Sequence, residues 1–335
     1  MKTLVVRLDS FGDVLLAGPA VRAVAAHSSQ VTMLCGPGGE PAARLLPGVD
    51  DVIVWAAPWE GFDAPAVDEA DVYGLVRCLA DAAFDTALIL TSFHQSPLPA
   101  ALLLRLAGVG RIGAESVDHP GRLLDVRHRR LPGRHEVQAA LDTAAAMGFP
   151  PHPGDDGRLR VLPPPDTAAL TGNGPYLVVH PGASAPARTW HPERCAEAVD
   201  LLTDAGHRVI VTGGPGEREL TREVSGHTAV DLGGRTDHRT LAGVLCLADV
   251  VVSGNTGPAH LAAAVGTPVV SLFAPVVPAD RWAPYGVPSI LLGDQTAPCA
   301  DSRARSCPVP GHPCLDEVTG QDVVRAVRKL LQEGG

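Results

Sequence analysis

Short apolar runs alternate with helical patterns along this chain, give way to a proline- and glycine-rich stretch, and then alternate a second time. Neighbouring parallel strands need a long crossover, usually a helix, so such alternation points to parallel sheets covered by helices. The first series has strands at Leu4–Arg7, Val31–Cys35, Asp51–Trp55 and Thr86–Thr91. Its helices are Val14–His27, interrupted early by Gly18-Pro19, then Glu69–Ala80, Leu98–Leu106 and His135–Met147. Phe149–Pro165, with the acidic pair Asp155-Asp156, reads as a linker. The second series has strands at Tyr176–His180, Arg208–Thr212, Ala229–Leu232, Val250–Ser253 and Pro268–Phe273. Between them lie helices at Pro192–Ala205, Glu217–Val224, Leu241–Ala248 and Pro258–Val265. The chain's 335 residues suffice for two domains. The expected fold is α/β, with Rossmann-like domains at 1–165 and 166–320 and a last helix within 321–335 that could pack back on the first. Open α/β sheets bind ligands beyond the carboxyl ends of their strands. Two such sheets facing across a cleft would line it with post-strand loops.

Composition narrows the partners. A net charge of −10 argues against a nucleic-acid binder. No apolar stretch reaches the roughly 18 residues of a membrane span, and the N-terminus runs directly into a strand pattern without the apolar core of a signal peptide. A cytoplasmic location is expected, with the seven cysteines as thiols.

Four post-strand loops carry the unusual residues. His180-Pro181-Gly182-Ala183-Ser184 with Arg188-Thr189-Trp190 offers hydroxyls and a planar cationic fork suited to phosphate, or else an ordinary turn with an exposed arginine. Gly213-Gly214-Pro215-Gly216-Glu217 opens a helix without being a complete dinucleotide fingerprint. Glu217 could accept from ribose hydroxyls or merely complement the helix N-terminus. Ser253-Gly254-Asn255-Thr256-Gly257-Pro258-Ala259-His260 follows a buried strand, with Pro258 placed in a first helical turn. The N–H groups of Thr256 and Gly257 would make an anion site there, and His260 could donate to a phosphate or simply pack. In Asp9-Ser10-Phe11-Gly12-Asp13, Asp13 could be a general base or an N-cap.

Together with Val6-Arg7-Leu8 and Val14, these segments make the chain resemble glycosyltransferase family 9, the ADP-heptose:lipopolysaccharide heptosyltransferases. The resemblance implies a GT-B fold and an inverting, metal-independent transfer of heptose or a related sugar to an acceptor hydroxyl. It implies no cofactor beyond the nucleotide-sugar, expected to be ADP-heptose, as co-substrate. Asp13 would be the base. Ser184, Arg188, Thr189, Glu217, Asn255, Thr256, Gly257 and His260 would bind the donor, although Asn255 stands where the family often has Asp. Ser10, Phe11, Gly12 and His94 would meet the acceptor, a glycolipid or small glycan with at most peripheral membrane contact.

Further acceptor candidates are Ser92, Gln95, the stretch Arg111-Ile112-Gly113 and the cluster Arg122, Arg127, Arg129 and Arg130, which also reads as a solvated charge run. Alternatives are another nucleotide-sugar serving a surface glycan or secreted metabolite, a sugar epimerase, or a catalytically silent binding protein. Cys299, Cys307 and Cys314 resemble a cysteine-rich C-terminal segment of the family. With His312 they could form a zinc set, but they lack a close C-x₂₋₄-C pair, which favours plain thiols.

Overall fold

In the computed structural model, which describes residues 1–61 and 63–333, the chain forms two compact units that divide after Leu162. The first sheet contains β1 (Lys2–Arg7), β2 (Gln30–Cys35), β3 (Asp51–Val54), β4 (Thr86–Ile89), β5 (Arg111–Glu115) and β6 (Val126–His128). The second contains β7 (Leu177–His180), β8 (Val209–Val211), β9 (Val230–Asp231), β10 (Val250–Gly254), β11 (Val269–Leu272) and β12 (Ser289–Leu292). Every pairing is parallel. The strand orders, β3-β2-β1-β4-β5-β6 and β12-β11-β10-β7-β8-β9, are one doubly wound pattern used twice. Strand addition therefore reverses direction between β1 and β4, and again between β7 and β10.

The central strands are apolar throughout because helices cover both faces. Leu4, Val5 and Val6 are buried in β1, and Val250, Val251 and Val252 in β10. The expected helix after β1 is two: α1 (Phe11–Leu16) and α2 (Gly18–Ala25), broken at Ala17. Pro19 lacks an N–H and fits only a first turn, so the chain restarts a helix there. Helices α3 (Glu69–Ala82), α4 (Leu98–Leu106) and α5 (Glu136–Ala146) complete the first unit's main helices. His135 accepts the Val137 N–H as the α5 N-cap.

Much of the expected linker belongs to the first unit. The Arg22 guanidinium on α2 donates to both oxygens of Asp155, at 2.7 and 2.8 Å, and to the Arg158 carbonyl. Leu159 is buried nearby in the chain.

The second unit's helices are α6 (Pro192–Asp204), α7 (Arg218–Ser225), α8 (His238–Cys246), α9 (Gly257–Ala264) and α10 (Gly320–Glu333). Val323, Val327 and Leu330 of α10 join the core that holds Val199 and Leu202 of α6. The apolar stripe of the last helix is thus used on the second unit. Among the described residues no helix is long and apolar enough to cross a membrane.

Candidate functional site

Strands β1 and β4 pair from Thr3↔Thr86 to Val6↔Ile89, so the loops after them leave the sheet side by side where the winding reverses. Arg7 ends β1 with its side chain 3% exposed. A buried guanidinium is costly without charged and hydrogen-bonding partners. Arg7 Nη2 has Ser92 Oγ at 2.8 Å, Asp9 at 3.1 Å and Asp13 at 3.3 Å. The Ser92 hydroxyl donates to Asp9 at 2.9 Å. The Ser92 N–H donates to the side chain of Gln95, whose amide donates to Glu60, each at 2.7 Å.

Ser10, not Asp13, is the N-cap of α1, which removes the capping alternative for Asp13. Asp13 lies in the first turn, with one carboxylate oxygen near Arg7 and the other accepting from the Ser10 hydroxyl at 2.8 Å.

Charge in this network is finely balanced. Burial opposes the Arg7 charge, but Asp9 and Asp13 outweigh it and hold its pKa above the usual value. Burial pushes the Asp9 carboxyl up to about 6, with Arg7 opposing and Asp13 adding. Burial, reinforced by Asp9, pushes Glu60 up to about 7.

Among the acceptor residues expected from sequence, Gly12 is buried, Phe11 half-buried, and Ser10 and His94 exposed. The His94 ring meets Phe93 edge to face. Residues 111–113 are part of β5. Arg130 is clamped by Glu115 and Glu136, and Arg127 donates to the Ser116 and Val117 carbonyls, whereas Arg122 and Arg129 are exposed. Two of the four cluster arginines therefore serve the local fold. Sequence reasoning named Asp13, Ser10, Ser92 and Gln95 but not Arg7, Asp9 or Glu60 as site residues. The available signal was a lone arginine closing an apolar strand; Glu60, in the loop after β3, had none.

In the second unit β7 and β10 pair up to Ser253↔His180, again bringing two loops together at the reversal. A Cβ on Gly254 would lie 2.8 Å from the Arg188 carbonyl oxygen, so these loops touch backbone to backbone. Arg188 Nη1 lies 3.5 Å from the Asn255 carbonyl oxygen. Asn255 is 5% exposed; its side chain donates to the Ala274 carbonyl at 3.0 Å and accepts the Ala274 N–H at 3.2 Å. This reciprocal pair anchors the amide to backbone at both polar ends, using one of the two hydrogen bonds each end can make. It also accounts for Asn in place of Asp, which has no donor for the Ala274 carbonyl.

Thr256 is the N-cap of α9, and its N–H is bonded to the Gly254 carbonyl at 2.9 Å, so it does not serve as the expected anion donor. Gly257 begins the helix, and His260 is buried in the first turn. Ser184 is exposed and Thr189 half-buried on the loop carrying Arg188.

Glu217 takes the helix-opening role that was one of its two readings. One oxygen accepts the Gly214 N–H at 2.6 Å, capping the short turn that opens α7. The other occupies the space left by Gly182, where a Cβ would fall 1.9 Å from it. His180, paired to Thr212 at 3.0 Å, lies 3.9 Å from Glu217. Burial pushes His180 down to about 4 against the pull of Glu217, so at neutral pH the two form no ion pair. Among the described residues no cluster of three or more His, Cys, Asp or Glu side chains is arranged to hold a metal ion.

The family model for glycosyltransferase family 9 (heptosyltransferase) matches residues 72–312. The chain belongs to that family. It is 28% identical over 167 residues to lipopolysaccharide heptosyltransferase 3 of Escherichia coli, spanning 47% of each chain, so it covers about half of that relative. It is 26% identical over 292 residues to lipopolysaccharide heptosyltransferase 1 of Escherichia coli K12, spanning 83% of this chain and 89% of that one. The solved E. coli heptosyltransferase WaaC with ADP-2-deoxy-2-fluoro heptose superposes with a TM-score of 0.71 at 22% identity over all of both chains. The family 9 chain thus has the GT-B class of fold, with two parallel α/β units as expected from its alternating patterns.

Proposed function

We propose that this family 9 protein is an inverting glycosyltransferase that moves heptose or a related sugar from an ADP-sugar to an acceptor hydroxyl, as in lipopolysaccharide core assembly. The observation that carries the reading is the Asp13 carboxylate, in the first turn of α1, oriented by Arg7 at the end of β1 and by Ser10. In this reaction the acceptor oxygen bonds to the anomeric carbon as the bond to the diphosphate breaks. Asp13 takes the acceptor proton. Charge growing on the diphosphate would be met by Arg188 and by the first turn of α9, with Ser184, Thr189, Thr256, Gly257 and His260 around it. Glu217, already fixed through one oxygen, would turn the other toward the ribose. Ser10, Phe11, Gly12 and His94 would face a glycolipid or small-glycan acceptor. The donor assignment draws support from the ADP-heptose analogue named with WaaC.

The test is transfer from ADP-heptose to a lipopolysaccharide inner-core acceptor, run in the presence of a chelator, with the anomeric configuration of the product read by NMR. Asp13→Asn is expected to bind donor as the parent does while losing about 10²–10⁴-fold in turnover. Turnover within a few-fold of the parent would remove Asp13 from the base role. A retained anomeric configuration, or activity lost to chelator and restored by a divalent ion, would overturn the mechanism.

A further inference from the structure

The cysteine- and proline-rich segment 294–316 follows β12 and has no part in the reaction as proposed. Its backbone is unusual. Among the described residues four non-glycines have positive φ, and three of them, Asp301, Arg303 and His312, fall here. Such conformations persist where the surroundings hold them. The Asp301 N–H donates to the Pro275 carbonyl at 2.9 Å and the Arg303 N–H to the Val276 carbonyl at 2.7 Å. Both contacts fall on the loop after β11, immediately beyond Ala274, which holds the Asn255 side chain.

The same segment grips the residue before Arg188. Ala187 is fully buried in a three-residue 3₁₀ turn, Pro186–Arg188, too short to satisfy its own backbone. The Ala187 N–H donates to the Arg305 carbonyl at 2.9 Å. The Ala187 carbonyl lies 3.0 Å from His312 Nε2. A carbonyl only accepts, so that nitrogen carries the proton and donates. The left-handed backbone of His312, φ 49°, is one that His tolerates better than most residues.

We infer that His312 is a positioning residue for the donor site. It fixes the Ala187 carbonyl, and through it the turn that aims Arg188 past the Asn255 carbonyl. This assignment rests on Arg188 being the diphosphate contact. It gives the segment a task in binding rather than in the chemical step.

The experiment is calorimetric titration of the whole chain with ADP, paired with transfer kinetics, for Arg188→Ala, His312→Ala, His312→Gln and the Arg188→Ala/His312→Ala double variant. His312→Ala is expected to weaken ADP binding about threefold to tenfold, the scale of one hydrogen bond, and to raise donor KM with kcat little changed. His312→Gln, whose amide can donate to the same carbonyl, should restore affinity. Adding His312→Ala to Arg188→Ala should cost little more. Should the alanine variant fold poorly, His312→Asn, with a shorter amide, is expected to show the same loss. Unchanged ADP affinity in the His312 variants while Arg188→Ala weakens binding overturns the positioning role. So does an undiminished loss on the Arg188→Ala background. Unchanged affinity in Arg188→Ala removes the diphosphate reading itself, and the positioning role with it.

Discussion

A guanidinium buried at the end of a strand must be matched by nearby negative charge, and Arg7 is matched by Asp9 from the loop that follows it and by Asp13 from the first turn of α1. One consequence concerns Glu60, tied to this group through Gln95 and Ser92. With its carboxyl pushed up to about 7, folded Glu60 keeps its proton over a pH range in which the unfolded chain has released it. The folded state then binds more protons, so stability linked to Glu60 is present at low pH and is lost as pH rises through about 7. Glu60→Gln keeps an acceptor for the Gln95 amide and removes the titration. Its melting temperature at pH 8 is expected to exceed the parent's by a few degrees, with the difference narrowing toward pH 5. Thermal unfolding followed across that range checks this; a gap of constant size would show that Glu60 is not the titrating group.

At the level of elements, legibility followed how each piece earns its stability. Strands β1 and β10 are buried on both faces and read as unbroken β-branched and apolar runs, so their ends, and the loops beyond them, were plain in the sequence. Strand β5, Arg-Ile-Gly-Ala-Glu, has only Ile112 as a strong strand former, and β6 is three residues long; the sequence reading names neither as a strand. Their pairing comes from neighbours distant in sequence. The post-strand loops of the second unit were legible in the sequence, but not the pairing of the Asn255 amide with Ala274, which depends on a loop nineteen residues away. The apparent linker was illegible for the same reason, because Asp155 finds its partner on α2. Arg22 holds the Asp155 carboxyl down at about 2, below its usual range. That contribution to stability is present at neutral pH and is lost as pH falls from about 4 through about 2. Asp155→Asn is expected to cost about 1–2 kcal/mol at pH 7, after allowing for solvent screening of a partly exposed pair. Urea unfolding at pH 7 and pH 2.5 tests it, since the deficit should shrink at the lower pH.

On the scale of the molecule, one winding order is used twice, and each unit has its own buried sheet and helices. The reversal in each sheet delivers a different chemistry. In the first unit it gathers a carboxylate network around Arg7; in the second it gathers backbone amides, hydroxyls and Arg188. A core of this size within each unit supports independent folding. If the donor is bound as proposed, residues 163–335 produced alone should fold cooperatively and bind ADP, with Arg188→Ala weakening that binding as it does in the whole chain. Residues 1–162 should fold as well but show no ADP binding. Transfer is expected only from the whole chain, because Asp13 and the donor loops belong to different units. Calorimetric titration of each half decides the matter: loss of ADP binding by a folded 163–335 half would show that the first unit supplies donor contacts, and would redirect the search to the loops after β1 and β4.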